Sequence, residues 1–198
     1  MSDEKVIIAG PASQLLAFRT AKEMDVKLIS CEVKAFPDGE SYLRIDVDDE
    51  DEIKDKEAII IQTTGANSVG DQNRQLTHLY NIIGAVKRMN ASKITVVTPY
   101  LAYARQDKAF RPGECKYAQI LLKIIEACGA DEFYCIDIHA PKVFEAINIP
   151  AHNLDPMKDL ADYLNDHLNL TEPIVVSPDK GAVERSTAFA KHLGDDVP

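Results

Sequence analysis

The chain has 198 residues, of which 45% are hydrophobic and 27% charged, and its formal net charge is −10 at pH 7. A chain of this length can form one domain or two small ones with buried cores. The acidic balance argues against broad nucleic-acid binding, because phosphate contacts need clustered Lys and Arg. No secretory signal and no apolar run of membrane-spanning length are recognisable, so we expect a cytoplasmic protein without nucleic-acid or membrane partners.

Short runs rich in β-branched residues alternate with amphipathic segments along the chain. KVIIAG (Lys5 to Gly10) predicts a strand, and a helix follows from an N-cap at Ser13 through Met24. Three further strand candidates come next, in VKLISCEV, SYLRIDV and EAIIIQT. Apolar residues at helical spacing then predict a helix from Gln72 to Met89, and KITVVTP predicts the following strand.

The second half of the chain continues the alternation. Apolar spacing from Tyr117 predicts another helix, which Gly129 is suited to end. EFYCIDI and PIVVSP predict strands, with helices at 156–168 and 182–193. Strands that are apolar on both faces and alternate with helices predict an α/β fold, with a largely parallel sheet covered by helices on both faces.

The stretch NIPAHNLDP, with its two prolines, is the best candidate for a domain boundary. It divides the chain into an amino-terminal domain, residues 1–147, and a second segment, residues 148–198. Only one predicted strand and two helices follow the stretch, so we expect the second domain to be incomplete.

Three polar clusters follow predicted strands, and ligands of open α/β sheets bind beyond the carboxyl ends of the strands. They are PYLAYARQDK, DIHA with His139, and SPDKGAVER with Asp179. A fourth cluster, FPDGE, lies in a hairpin-like link. Each has a structural alternative: Asp-Gly is a common turn, a lone histidine at a strand end is often only hydrogen-bonded, and Asp179 could simply cap a helix.

Together the clusters supply the chemistry of a nucleotide site. Arg105 and Lys108 are suited to phosphate oxygens, and Phe36 could stack on a purine. Between residues 99 and 117 four cations and two acids give a net charge of +2 in an acidic chain. Asp179 could hold Mg²⁺, whereas the imidazole of His139 is not a ligand that magnesium prefers. No P-loop and no GxGxxG motif is present.

The motifs FPDGE, PYLAYARQDK, DIHA and VVSPDKGAVER, in this order, resemble those of ribose-phosphate diphosphokinases, the archaeal enzymes in particular. Enzymes of this family move the diphosphoryl group of ATP onto the anomeric hydroxyl of ribose 5-phosphate and release AMP. The resemblance implies two domains of phosphoribosyltransferase type. It also implies a homo-oligomer in which a neighbouring subunit completes the active site.

The resemblance also implies roles for individual residues. The residues expected to bind ATP are Phe36, Asp38, Gly39, Glu40, Arg105, Gln106 and Asp107. The hairpin residues would be presented to an adjacent protomer, and His139 and Asp179 would be the Mg²⁺ positions. Tyr100 and Tyr103 are expected to shape their loop by packing.

Two family features are not found in this sequence. They are a flexible loop with a catalytic lysine and a DDxxxTGGT-like loop that holds the 5-phosphate of ribose. We therefore expect a fragment of an active enzyme, with no catalytic residue of its own and little turnover alone. A non-catalytic, nucleotide-binding regulatory homologue and a plain phosphoribosyltransferase-like binding module are the alternatives.

Overall fold

The computed structural model describes residues 4–194 and 197. Contacts between residues divide the chain into two compact units, Met1–Asn153 and Leu154–Pro198. The boundary predicted from the sequence, after residue 147, lies six residues earlier. Within the described residues, every helix is too short or too polar to cross a membrane.

The first unit is organised around a seven-stranded sheet and three α-helices. The strands are β1 Lys5–Ala9, β2 Lys27–Ala35, β3 Ser41–Ile45, β4 Glu57–Ile61, β5 Lys93–Thr98, β6 Glu132–Ile136 and β7 Ala151–Leu154. The helices are α1 Gln14–Met24, α2 Gln72–Arg88 and α3 Tyr117–Ala127, with short 3-10 helices at Glu50–Glu52 and Pro141–Ala146.

The strand order across the sheet is β3-β2-β1-β4-β5-β6-β7. β1 pairs in parallel with β2 and β4, and β5 pairs in parallel with β4 and β6. β2 and β3 form an antiparallel hairpin, as the link FPDGE predicted. The observed sheet confirms the predicted α/β fold with a largely parallel sheet.

Successive residues of the central strands contribute to two apolar cores, one on each face of the sheet. Ile7 of β1 belongs to the smaller core, together with Ala17 of α1. Ile8 belongs to the larger core, which includes Leu79 of α2 and Leu122 of α3. Because side chains alternate along a strand, burial on both faces requires the continuous Val and Ile runs that the sequence shows.

Two segments differ from the sequence prediction. AHNL, expected to lie in a linker, forms β7 at one edge of the sheet. PIVVSP, predicted to be a strand, forms neither helix nor strand, and Ile174 and Val176 are 71% and 80% exposed. A strand needs a neighbour for its backbone hydrogen bonds, and the described residues 155–194 contain no strand.

The second unit contains two α-helices, α4 Met157–His167 and α5 Val183–Leu193, which contact each other. Each buries a small residue, Ala161 in α4 and Ala190 in α5. A 3-10 helix at Lys180–Ala182 leads directly into α5. Both α-helices begin and end within one residue of the bounds predicted from the sequence.

Candidate nucleotide site

The carboxyl ends of the parallel strands lie at one edge of the sheet. Ala9 of β1 is paired with Ile61 of β4, Ile61 with Val97 of β5, and Thr98 with Cys135 of β6. The segments that follow these strands therefore emerge next to one another. Two of the predicted clusters, PYLAYARQDK after β5 and DIHA after β6, start from this edge.

The hairpin with FPDGE projects from the same edge, which the sequence analysis did not predict. β2 is parallel to β1 and pairs with it as far as Ser30, opposite Ala9. From there β2 pairs with β3, from Cys31 opposite Ile45 to Ala35 opposite Ser41. At about 3.3 Å per residue, these residues extend the hairpin roughly 16 Å beyond its pairing with β1.

The hairpin tip, residues 36–40, combines a tight turn with an accessible aromatic ring. Gly39 has φ of +90°, a conformation that side-chain-bearing residues rarely adopt, and Asp38 Oδ1 accepts the Glu40 N–H at 3.1 Å. Asp38 and Gly39 therefore have a structural role in the turn. The Phe36 ring is 50% exposed and meets Tyr42 edge-to-face, with 6.5 Å between ring centroids. One side of this ring is free to contact a ligand or another chain.

A cleft of about 700 Å³ lies between the hairpin and α2. Phe36 and Glu40 line one wall, and Asn73 and Arg74 line the other. The Arg74 guanidinium donates a long hydrogen bond of 3.4 Å to the Gly39 carbonyl. Arg74 therefore adds a cation beside the hairpin tip, and the sequence analysis did not single it out.

The segment of residues 99–116, here called the cation loop, is held by Tyr103. This residue adopts φ of +61°, and its carbonyl accepts the Gln106 N–H at 2.9 Å. Its hydroxyl donates to Asn73 Oδ1 at 2.6 Å, and its ring stacks on Tyr117 with 4.2 Å between centroids. The expected packing role therefore holds for Tyr103, whereas Tyr100 is 56% exposed.

The cationic side chains of the cation loop point into solvent. Arg105, Lys108 and Arg111 are exposed, and none of them makes an ion pair with a described residue. Glu114 makes no ion pair with them; its carboxylate accepts the backbone N–H groups of Phe110 and Arg111 at 2.6 and 3.1 Å. Four cations against Asp107 and Glu114 leave this loop with a net charge of +2, and such a positive segment in an acidic chain attracts anions.

The other two predicted ATP ligands of the loop stand beside Arg105. Gln106 is exposed, and its carbonyl accepts the Ala118 N–H at 3.3 Å, which links the loop to the start of α3. Asp107 is partly buried and makes no ion pair with a described residue. The alternative interpretation was that Arg105 and Asp107 only pair with surface charges. Neither residue forms such a pair with a described residue.

The predicted metal positions, His139 and Asp179, belong to different units of the chain. His139 is exposed after β6. Asp179 caps the 3-10 helix before α5, with Oδ1 accepting the N–H groups of Gly181 and Ala182 at 2.8 and 3.0 Å. Among the described residues, no group of three or more His, Cys, Asp or Glu could hold a metal ion.

The two residues differ in how well their side chains suit Mg²⁺ as ligands. Asp179 keeps one carboxylate oxygen without a hydrogen bond to a described residue, and Mg²⁺ is commonly held by one or two carboxylates plus substrate phosphates. An imidazole nitrogen such as that of His139 is a poor magnesium ligand. Asp179 is thus the better candidate of the two.

The strand end after β4, Gln62–Thr64, carries no charge and was not among the predicted clusters. Gln62 and Thr64 are fully buried, and they contact the segments that follow β1 and β5. A polar run directly after an apolar strand was the available signal. This signal is weaker than that of the charged clusters, because uncharged polar residues at a strand end are common in packing roles.

Residues 5–129 match the protein family described as the N-terminal domain of ribose phosphate pyrophosphokinase. The chain belongs to the ribose-phosphate pyrophosphokinase family. This is the family of diphosphokinases whose motifs the sequence resembles, so the resemblance is confirmed. The matched residues lie within the first unit, which carries the hairpin tip and the cation loop.

Relatives named ribose-phosphate pyrophosphokinase include those of Methanobrevibacter smithii, 40% identical over 188 residues, and Sulfolobus acidocaldarius, 32% identical over 191 residues. These matches cover 95% and 96% of this chain but 60% and 62% of the relatives. The crystal structure of phosphoribosylpyrophosphate synthetase from Mycobacterium smegmatis is similar, with a TM-score of 0.83 and 30% identity. That match covers 98% of this chain and 62% of the Mycobacterium chain. The chain thus spans about 60% of the length of these pyrophosphokinases.

Proposed function

We propose that this chain carries the ATP-binding part of a ribose-phosphate diphosphokinase. The whole enzyme would transfer the diphosphoryl group of ATP to ribose 5-phosphate, which gives phosphoribosyl pyrophosphate and AMP. The observation that carries the proposal is the cation loop. Its four exposed cations, Arg105, Lys108, Arg111 and Lys116, lack ion-pair partners among the described residues, in a chain whose net charge is −10.

In this proposal Arg105 and Lys108 bind the triphosphate of ATP. The planar guanidinium of Arg105 can donate two parallel hydrogen bonds to phosphate oxygens, and Lys108 adds a flexible point charge. Gln106, on the same turn, supplies a neutral amide for the polar edges of the nucleotide, and Asp107 lies beside it. Phosphoryl-transfer enzymes depend mainly on positioning and charge stabilisation, and these residues would supply both.

The hairpin tip would contact the nucleotide base. The half-exposed ring of Phe36 offers a stacking surface, and Glu40 is exposed next to it. Asp38 and Gly39 would act through the shape of the turn and its backbone groups. Because the hairpin extends beyond the sheet, we propose that its tip reaches the ATP site of an adjacent protomer in a homo-oligomer.

Mg²⁺ bound to ATP would screen the phosphate oxygens and polarise the group that is transferred. We propose the free carboxylate oxygen of Asp179 as one ligand. His139 would then act as a hydrogen-bond partner of ATP or of a bound water rather than as a direct ligand. The chain's own contribution is to hold the nucleotide and balance its charge.

The proposal is tested by measuring ATP binding to the chain by isothermal titration calorimetry with Mg²⁺ present. We expect Arg105→Ala to raise the ATP dissociation constant about tenfold or more, because a charge-assisted contact contributes about 1.5–3 kcal/mol. Arg88→Ala is the matched control, since Arg88 is equally cationic and exposed but pairs with Glu50 at 2.6 Å.

Equal ATP binding by both variants would remove Arg105 from the site. Phosphorus NMR with ATP, Mg²⁺ and ribose 5-phosphate then tests the reaction. Formation of AMP and a sugar diphosphate would establish the diphosphokinase activity. ATP signals that shift without product would indicate an ATP half-site without turnover, which is the outcome that we expect for this chain alone.

A further inference from the structure

A buried hydroxyl group holds the beginning of the cation loop. Thr64 follows β4 and is fully buried. Its Oγ1 donates to the Tyr100 carbonyl at 2.9 Å and accepts the Ala102 N–H at 2.7 Å. The Thr64 N–H also donates to the Tyr100 carbonyl, at 3.0 Å. Three hydrogen bonds thus join one residue of the β4 end to the first four residues of the loop.

The path of the loop at Ala102 determines where the cations point. Leu101 and Ala102 are 3% and 1% exposed, so the Ala102 N–H lies in the interior and has the Thr64 hydroxyl as its acceptor. Tyr103, with its left-handed backbone, comes next, and its carbonyl closes the turn that holds Arg105. A shift at Ala102 would therefore be passed directly to Arg105, three residues later.

The β4 end that carries Thr64 is itself held in place. Gln62 Nε2 donates to Gln75 Oε1 at 2.8 Å, and Gln75 Nε2 donates to Asn67 Oδ1 at 2.9 Å. Gln62 Oε1 accepts the Ala12 N–H at 3.0 Å. These amide hydrogen bonds join the end of β4 to α2 and to the segment after β1. They hold the backbone at Gln62, two residues before Thr64, in place.

We propose that Thr64 is a positioning residue for ATP binding, which rests on the proposed function of the cation loop. Thr64 need not touch the nucleotide. Its hydroxyl orders the loop before ATP arrives, so that ATP binding does not have to supply the ordering. This assigns a binding role to an uncharged, fully buried side chain outside the four motifs.

The test compares three variants of the chain. Thr64→Val keeps the size of the side chain and removes the hydroxyl, and Thr64→Ser restores it. Thr98→Val is the matched control, because Thr98 is also fully buried at the end of the neighbouring strand. Its hydroxyl makes no hydrogen bond to a described residue. For each variant we would measure the ATP dissociation constant by calorimetry and the exchange rate of the Gln106 amide by NMR.

We expect Thr64→Val to raise the ATP dissociation constant about tenfold, with Thr64→Ser and Thr98→Val within about twofold of wild type. The Gln106 amide should exchange faster in Thr64→Val alone, although its own acceptor, the Tyr103 carbonyl, is unchanged. A purely structural role would instead lower stability without changing exchange at Gln106 in the folded state.

Two results would overturn the inference: ATP affinity in Thr64→Val equal to that of Thr98→Val, or unchanged exchange at Gln106. Failure of the wild-type chain to bind ATP would refute the proposed function instead. The exchange rates would still decide in that case whether Thr64 orders the loop. If Thr64→Val does not fold, Thr64→Ala also removes the hydroxyl: a larger ATP dissociation constant in Thr64→Ala than in Thr98→Ala supports the inference, and equal values contradict it.

Discussion

Gly10 follows β1 at the carboxyl edge of the sheet, and a methyl group at this position would overlap a buried amide. A Cβ atom there would lie 2.7 Å from Cβ and 2.8 Å from Cδ of Gln62, and would overlap its Oε1. Gln62 is fully buried and makes two side-chain hydrogen bonds, to Gln75 and to the Ala12 N–H. The substitution Gly10→Ala therefore has to displace Gln62 and break both bonds.

The cost follows from the bonds that are lost. Each contributes about 1–1.5 kcal/mol, and a buried polar group left without a partner adds to the loss. We expect Gly10→Ala to lower the free energy of unfolding by about 3 kcal/mol. For a chain of this size, that corresponds to a fall in Tm of roughly 6–12 °C. Urea unfolding followed by far-UV circular dichroism, together with a thermal melt, measures both quantities.

Gly84→Ala is the matched control, because it makes the same chemical change within α2. Apart from its two chain neighbours and the nearby backbone of α2, no described atom lies within 4 Å of a Cβ built at Gly84. Alanine is favoured over glycine inside a helix, so we expect a gain of about 0.5–1 kcal/mol. If Gly10→Ala were as stable as wild type, the packing of Gln62 against Gly10 would not be the constraint that we infer.

Two further predictions concern a charged and a thiol side chain. Lys93 Nζ lies 2.5 Å from a Glu132 carboxylate oxygen, and this hydrogen bond, together with those from Tyr134 and His152, lowers the pKa of Glu132 from 4.5 to about 2. A carboxyl group whose pKa is lower in the folded state stabilises the fold at pH values above its unfolded-state pKa, and this stabilisation is lost as the pH falls toward the folded-state pKa. Tm should therefore drop more steeply from pH 4.5 to 2 in wild type than in Glu132→Gln. Parallel Tm profiles would contradict this. Burial raises the pKa of Cys31 and Cys135 to about 12, whereas Cys115 is exposed. A thiol-specific reagent should therefore label Cys115 first in the native chain, and an unchanged fast phase in Cys115→Ser would refute the assignment.

Much of the fold could be predicted from sequence because its signals are local. A strand buried on both faces has to be a continuous apolar run, and a helix on the sheet has to repeat its apolar residues at helical spacing. The strands β1, β4 and β5 and the helices α1, α2 and α3 follow these rules. The clusters around Arg105 and His139 could also be found, because each follows such a strand directly.

Other features depended on neighbours that are distant in sequence. AHNL shows no apolar alternation, because three of the four residues of β7 are exposed, and it becomes a strand only through its place at the sheet edge. PIVVSP has strand composition but no partner strand among the described residues 155–194. Ser13 precedes α1 as predicted, yet its hydroxyl makes no cap hydrogen bond and accepts the Thr63 N–H at 2.7 Å.

The sequence by itself determined the fold class, the family motifs and the identity of the charged residues proposed to bind ATP. Only the tertiary structure decided that the FPDGE hairpin projects from the same edge as the cation loop, since that depends on β2 running parallel to β1. It also decided which acceptor receives the Ala102 N–H. Thr64 is 38 residues away from Ala102 along the chain, and only the pairing of β4 with β5 brings the two together.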